Sequence, residues 1–97
     1  MSTSITSLIA KDLRIEINHG LTHDDEILIE LSVIVTYLLE KDPERLFQGL
    51  YRMDVDEIKI KKAFSQYSGE RLVEKISILI IERQKLKIYW REKMKGV

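Results

Sequence analysis

The sequence contains no cysteine, only one proline and only four glycines among its 97 residues. Without cysteine, the chain can form no disulfide framework, no thiolate zinc site and no cysteine nucleophile. The glycines stand alone at positions 20, 49, 69 and 96, so they form no phosphate-binding loop, and the sequence has no Gly-x-Ser-x-Gly motif. We therefore expect a protein that is not an enzyme and binds no cofactor.

Long hydrophobic runs and an excess of one charge are also missing. The longest apolar-rich stretch, residues 27–39, is interrupted by Glu30, Ser32 and Thr36, and a membrane span needs about 20 apolar residues. The first residues have neither the basic nor the apolar segment of a secretory signal. Sixteen basic residues balance sixteen acidic ones, and 44% of the chain is hydrophobic. The composition predicts one globular domain over residues 1–97. The missing signal features and the short apolar stretch predict a cytoplasmic protein with no membrane span.

The balanced total hides an uneven distribution of charge. Residues 1–57 contain five basic and twelve acidic side chains, whereas residues 58–97 contain eleven basic and four acidic ones. One interpretation is that the acidic half folds against the basic half. The other is that a basic surface of the second half meets an acidic partner.

The apolar periodicity predicts five helices joined by short connections. Start signals are clearest at Asp42-Pro43 and at residues 54–57, which match a capping box. Within the first predicted helix, residues 4–18, Leu13, Ile15 and Ile17 alternate with charged residues, and this alternation also fits an extended strand. The predicted helices are residues 4–18, 23–40, 43–52, 55–66 and 70–95. We expect a compact all-α bundle with a long C-terminal helix.

The apolar residues of these helices predict which surfaces are buried. The second helix is apolar on nearly all sides, which is typical of a central helix. On the third helix Leu46, Phe47, Leu50 and Tyr51 share one face. On the fourth, the predicted core residues are Val55, Ile58, Ala63 and Phe64.

The second and fifth helices carry more apolar surface than small neighbours can cover. A domain of this size also hides only a limited fraction of its surface. A second copy is the simplest partner, so we expect an interaction module that forms a homo-oligomer, most simply a dimer. A different protein is the alternative partner. Large aromatic side chains supply much of the binding energy of interfaces, so the predicted interface residues are Leu86, Tyr89, Trp90 and Met94.

A basic stripe on the fifth helix predicts an alternative function. Arg83, Lys87, Arg91 and Lys95 recur every four residues and therefore lie along one side of a helix. With nearby aromatic residues, such a stripe is able to bind the phosphates and stacked bases of RNA or single-stranded nucleic acid. The competing interpretation is a solvated helix face. Reading of duplex DNA by the third and fourth helices is not expected, since the fourth begins with Asp54, Asp56 and Glu57, which DNA phosphates repel.

Two histidines near acidic residues predict a further alternative, a metal-binding helical protein. Glu16 and His19 have the Glu-x-x-His spacing of helical di-iron proteins, and His23 follows shortly after. Such sites need two of these motifs, and this chain has one. Loop residues in solvent are therefore the simpler interpretation of Glu16, His19 and His23.

Overall fold

The computed structural model describes residues 5–17 and 23–95. Within this part of the chain the backbone forms five α-helices and no strand, which confirms the predicted all-α bundle. None of these helices is both long and apolar enough to cross a membrane. In chain order they are α1 (Ile5–Leu13), α2 (Asp24–Lys41), α3 (Pro43–Met53), α4 (Glu57–Gln66) and α5 (Gly69–Lys95).

The core forms where α2 and α5 pack on each other. The helices α1, α3 and α4 also pack on α5, and α3 packs on α1 and α2. Burying one large aliphatic side chain contributes about 1.5–3 kcal/mol of transfer free energy. The fully buried apolar side chains of the two long helices are Leu31, Val35, Leu38, Ile76 and Ile80. The long helices therefore form the spine of the bundle.

The first helix ends at Leu13, so the predicted helix over residues 4–18 is too long. Arg14 has a left-handed φ of 55°, and the N–H of Ile15 donates to the carbonyl of Ala10 at 3.1 Å. This hydrogen bond is that of a Schellman motif, in which glycine usually takes the left-handed position. The chain then continues outside the helix to Ile17, which is buried.

The start of α3 agrees with the prediction. Pro43 lies in the first turn, where a missing N–H leaves no hydrogen bond unmade. The side chain of Asp42 accepts a hydrogen bond from the N–H of Arg45 at 3.3 Å. Aspartate followed by proline therefore begins this helix as it does in many proteins.

The turn between α3 and α4 differs from the prediction. Asp54 takes a left-handed conformation with φ of 60°, and the N–H of Val55 donates at 3.1 Å to a carbonyl in the last turn of α3. The side chain of Asp56 accepts from the N–H of Ile58 at 2.9 Å and so caps α4. The predicted capping box over residues 54–57 is therefore wrong, because Asp54 ends α3 and does not begin α4.

Several apolar side chains predicted to be buried lie at the surface. The inner sides of α3 and α4 are occupied by residues such as Leu50 and Ala63. A bundle of this size covers only part of each helix, because its surface is large relative to its volume. The exposed side chains are Ile29, Val33 and Tyr37 of α2, Phe47 and Tyr51 of α3, and Ile58 and Phe64 of α4.

Candidate interaction surfaces

The last part of α5 extends beyond the core and carries exposed apolar side chains. Gln84 is fully buried, whereas the side chains of residues 85–94 are exposed or half-buried. We name residues 86–95 the α5 arm. Ile88 is half-buried. The other large apolar side chains of the arm have exposed fractions between 43% and 71% and are Leu86, Tyr89, Trp90 and Met94. The residues predicted to form an interface thus lie together on one solvent-facing helical segment.

The aromatic rings of the arm are held by contacts within the helix. The Tyr89 and Trp90 rings meet edge to face, with centroids 5.5 Å apart and an interplanar angle of 75°. The Lys93 ammonium lies 5.6 Å from the Tyr89 centroid and 5.7 Å from the Trp90 centroid. Exposed cation–π contacts of this kind contribute about 0.5–1 kcal/mol each. These contacts restrict the orientations of the two exposed rings relative to each other.

Arg83 fixes the base of the arm to the C-terminal end of α3. Its Nη2 donates to the carboxylate of Asp54 at 3.1 Å, and its Nε donates to the carbonyl of Met53 at 3.4 Å. The carbonyl belongs to one of the last residues of α3, which lack partners within the helix. The left-handed turn after α3 and the base of the arm therefore stabilise each other.

The next two residues of α5 bind two other helices. The amide Nε2 of Gln84 donates to the carboxylate of Asp12 in α1 at 3.2 Å. The ammonium of Lys85 binds the carboxylate of Asp24 in α2. Three consecutive residues thus join the base of the arm to α3, α1 and α2. The pairs formed by Arg83 and Lys85 also join the basic half of the chain to the acidic half, as the first interpretation of the charge distribution expects.

The basic stripe proposed for nucleic acid is divided between two environments. Arg83 is directed toward the protein body and is paired with Asp54. Lys87 is half-buried and Arg91 is exposed, while the side chain of Lys95 lies outside the described part. The stripe therefore offers fewer solvent-facing charges than its spacing alone indicates.

A second candidate surface is a groove between α3 and α4. We name it the α3–α4 groove; its volume is about 990 Å³, and its apolar lining includes Phe47, Tyr51, Ile60 and Phe64. The Phe47 and Phe64 rings lie 5.6 Å apart and connect the two helices. Tyr51 is 86% exposed and is the most exposed large apolar side chain of the described residues.

The charged residues of the groove are mostly acidic. Asp54, Asp56 and Glu57 line it, and Lys61 is the basic residue among its lining side chains. Two of the carboxylates are there because the turn between the two helices uses Asp54 to end α3 and Asp56 to cap α4, and the third, Glu57, lies in the first turn of α4. The same local structure that connects α3 to α4 therefore makes the groove acidic. Sequence reasoning missed this surface, although the acidic residues beside Tyr51 were a visible signal.

A third apolar surface lies on α2. Ile29, Val33 and Tyr37 recur every four residues and are each more than half exposed. Part of this stripe borders a shallower groove of about 540 Å³ that also includes Glu70 and Glu74 of α5. This surface is the alternative to the α5 arm as a place for an interface.

The predicted metal ligands are only partly within the described residues. Glu16 is exposed, and the His23 side chain is 80% exposed and lies 4.0 Å from Glu26. His19 lies outside the described residues. Among those that the structure describes, no group of three or more His, Asp or Glu side chains is placed to hold a metal ion. The metal-binding alternative therefore stays a prediction.

Comparisons of the chain with protein-family models, with curated proteins and with solved structures find no significant match. The surfaces themselves are therefore the basis for a functional proposal.

Proposed function

We propose that the protein is a non-enzymatic helical interaction module that forms a homodimer through the apolar side chains of the α5 arm. The observation that carries this proposal is the arm itself, which extends past the last buried residue of α5 with Leu86, Tyr89, Trp90 and Met94 at least 43% exposed. An isolated helix of about ten residues is only marginally stable in water. A partner that covers the apolar side chains stabilises the arm and removes them from water.

The composition and placement of the arm support a binding role. Trp and Tyr are enriched among the residues that dominate interface energies, and here they are adjacent and in ring contact. The bonds of Arg83 and Lys85 hold the arm in one direction relative to the bundle. A held surface loses less conformational freedom on association than a free one.

The test is the mass of the protein in solution, measured by light scattering after size exclusion at low and at about 0.5 M salt. The wild type is expected to have twice the chain mass of 11.4 kDa at both salt concentrations, because the apolar contacts that supply most of the affinity are not screened by salt. Trp90→Asp is expected to be a monomer. Tyr37→Asp is the matched control, since Tyr37 on α2 is 53% exposed and Trp90 is 52% exposed.

Two other results contradict the proposal, and a third supports the alternative function. A wild type that is monomeric at all concentrations contradicts self-association and directs the search to a different protein partner. A monomeric Tyr37→Asp beside a dimeric Trp90→Asp moves the interface from the arm to α2. Excess absorbance at 260 nm in the low-salt run alone supports nucleic-acid binding by Lys87 and Arg91, because phosphate contacts weaken steeply with salt.

A further inference from the structure

The α3–α4 groove and the α5 arm have complementary properties. We infer that the groove of each protomer receives the α5 arm of a second copy, so that the homodimer exchanges its two arms reciprocally. This inference rests on the proposed self-association and adds which two surfaces meet. It assigns a function to Tyr51 and the groove, which the proposed function leaves unused.

The first argument is charge. The arm contains four basic residues, Lys87, Arg91, Lys93 and Lys95, and one acidic residue, Glu92. The groove has the opposite sign, since three carboxylates and one lysine line it, and two of the carboxylates, Asp56 and Glu57, remain after Asp54 has paired with Arg83. Interfaces place potentials of opposite sign against each other, which selects partners and accelerates association.

The second argument is size and surface chemistry. The ten residues of the arm span about 15 Å at 1.5 Å per residue, and α4, which forms one wall of the groove, also has ten residues. A volume of about 990 Å³ is at the upper end of the roughly 300–1,000 Å³ of binding pockets. An amphipathic helix lying in an apolar groove is a recurrent mode of recognition. Trp90 and Leu86 are one helical turn apart, so both are able to enter the groove from the same side.

The third argument is against the simplest alternative, in which two arms pack on each other. Each arm has an excess of positive charge, so direct pairing brings Lys87, Arg91 and Lys93 of one copy near those of the other. Like charges at an interface oppose association. In the reciprocal arrangement each arm meets carboxylates, and a two-fold axis fills both grooves and closes the assembly at two copies.

The experiment follows both mass and the environment of Trp90, the only tryptophan of the chain. The wild type is measured over a concentration series by light scattering and by tryptophan emission. We expect the emission to shift to shorter wavelength as the dimer forms, because Trp90 leaves water for the groove. Tyr51→Asp is expected to raise the dimer dissociation constant about 10-fold or more, because the loss of a large aromatic side chain central to an interface outweighs the attraction of one added carboxylate for the basic arm. Its emission is expected to stay that of an exposed tryptophan.

Two further variants keep the test decisive. Tyr37→Asp is the matched control and is expected to dimerise like the wild type. Lys61→Glu removes the positive charge from the groove lining at an exposed site, and is expected to tighten the dimer several-fold at low salt and less at high salt. Far-UV circular dichroism checks that each variant is folded. If Tyr51→Asp does not fold, Lys61→Glu still tests the inference, because a dimer dissociation constant equal to that of the wild type contradicts docking in the groove.

A mixing experiment tests reciprocity. Trp90→Asp retains an intact groove, and Tyr51→Asp retains an intact arm. Mixed together, they are expected to form a heterodimer with one intact contact, although each alone is monomeric at the same concentration.

The outcomes separate the two proposals. A Tyr51→Asp protein that dimerises as tightly as the wild type, with Trp90 buried, overturns the docking inference and leaves self-association intact. Two monomeric variants that form no heterodimer overturn the reciprocal exchange. A monomeric wild type overturns both proposals.

Discussion

Replacement of Gln84 by methionine tests how the base of the arm is stabilised. Gln84 is fully buried. Its Nε2 donates to the Asp12 carboxylate at 3.2 Å, but its Oε1 is buried without a hydrogen bond in the described structure. Methionine has nearly the same length and volume and carries no polar amide. Gln84→Met therefore removes the hydrogen bond from Nε2 to Asp12 and also removes Oε1, a buried acceptor without a partner.

The two terms have similar size and opposite sign. A hydrogen bond to a charged group contributes about 1.5–3 kcal/mol when buried, and less here because Asp12 is half-buried and regains water. An unsatisfied buried acceptor costs about 1–3 kcal/mol. We therefore expect Gln84→Met to change the free energy of unfolding by less than about 1 kcal/mol, with stabilisation favoured. Gln84→Ala leaves a cavity and is expected to destabilise the protein by about 2–4 kcal/mol.

The assay is urea unfolding followed by circular dichroism, with the midpoint and the slope compared between variants. Gln48→Met is the matched control, since Gln48 makes the same kind of amide-to-carboxylate bond with Glu44 at 3.3 Å but is exposed. Its effect is expected to stay within about 0.5 kcal/mol. A Gln84→Met protein destabilised by more than about 2 kcal/mol would refute the reasoning, because Oε1 must then have a partner such as a buried water.

Two more predictions test the connections around α3. Asp42→Ala removes the side chain that accepts from the N–H of Arg45 and is expected to cost about 1 kcal/mol in urea unfolding; an unchanged midpoint would show that water caps the helix equally well. Gly49→Ala places a Cβ against the buried side chain of Leu13. Overpacking costs about 1–3 kcal/mol and outweighs the gain of about 1 kcal/mol in helix propensity, so we expect a lower thermal midpoint, and a higher one would contradict the close packing of α1 on α3.

The sequence was sufficient to predict the number of helices and the long C-terminal helix. Periodicity and one strong start signal, Asp42-Pro43, place the elements to within a few residues. It was not sufficient at the ends of α1 and α3, where Arg14 and Asp54 take the left-handed position that glycine usually occupies. Non-glycine residues do so when surrounding contacts stabilise them. At Asp54 such a contact comes from Arg83, which lies 29 residues along the chain.

For the candidate surfaces too, the sequence predicts features within one helix but not the contacts between helices. Periodicity reveals that a helix has an apolar face, but not whether a neighbour covers that face. Leu86 and Trp90 were predicted at an interface and are exposed as an interface requires, whereas Phe64 was assigned to the core and lines a groove instead. Which of these side chains are covered depends on where α5 packs against α4. The local sequence pattern does not contain that information.

The lengths of the helices explain why an arm exists at all. The spine pairs α2, with 18 residues, against α5, with 27. At 1.5 Å per residue α5 is longer by about 14 Å, so part of it extends past α2 at one end or the other. Because residues 83–85 are bonded to α3, α1 and α2, the additional length of α5 lies at its C-terminal end. The part left uncovered carries the only tryptophan of the chain and a surplus of positive charge, the features that an acidic, aromatic groove on a second copy would bind.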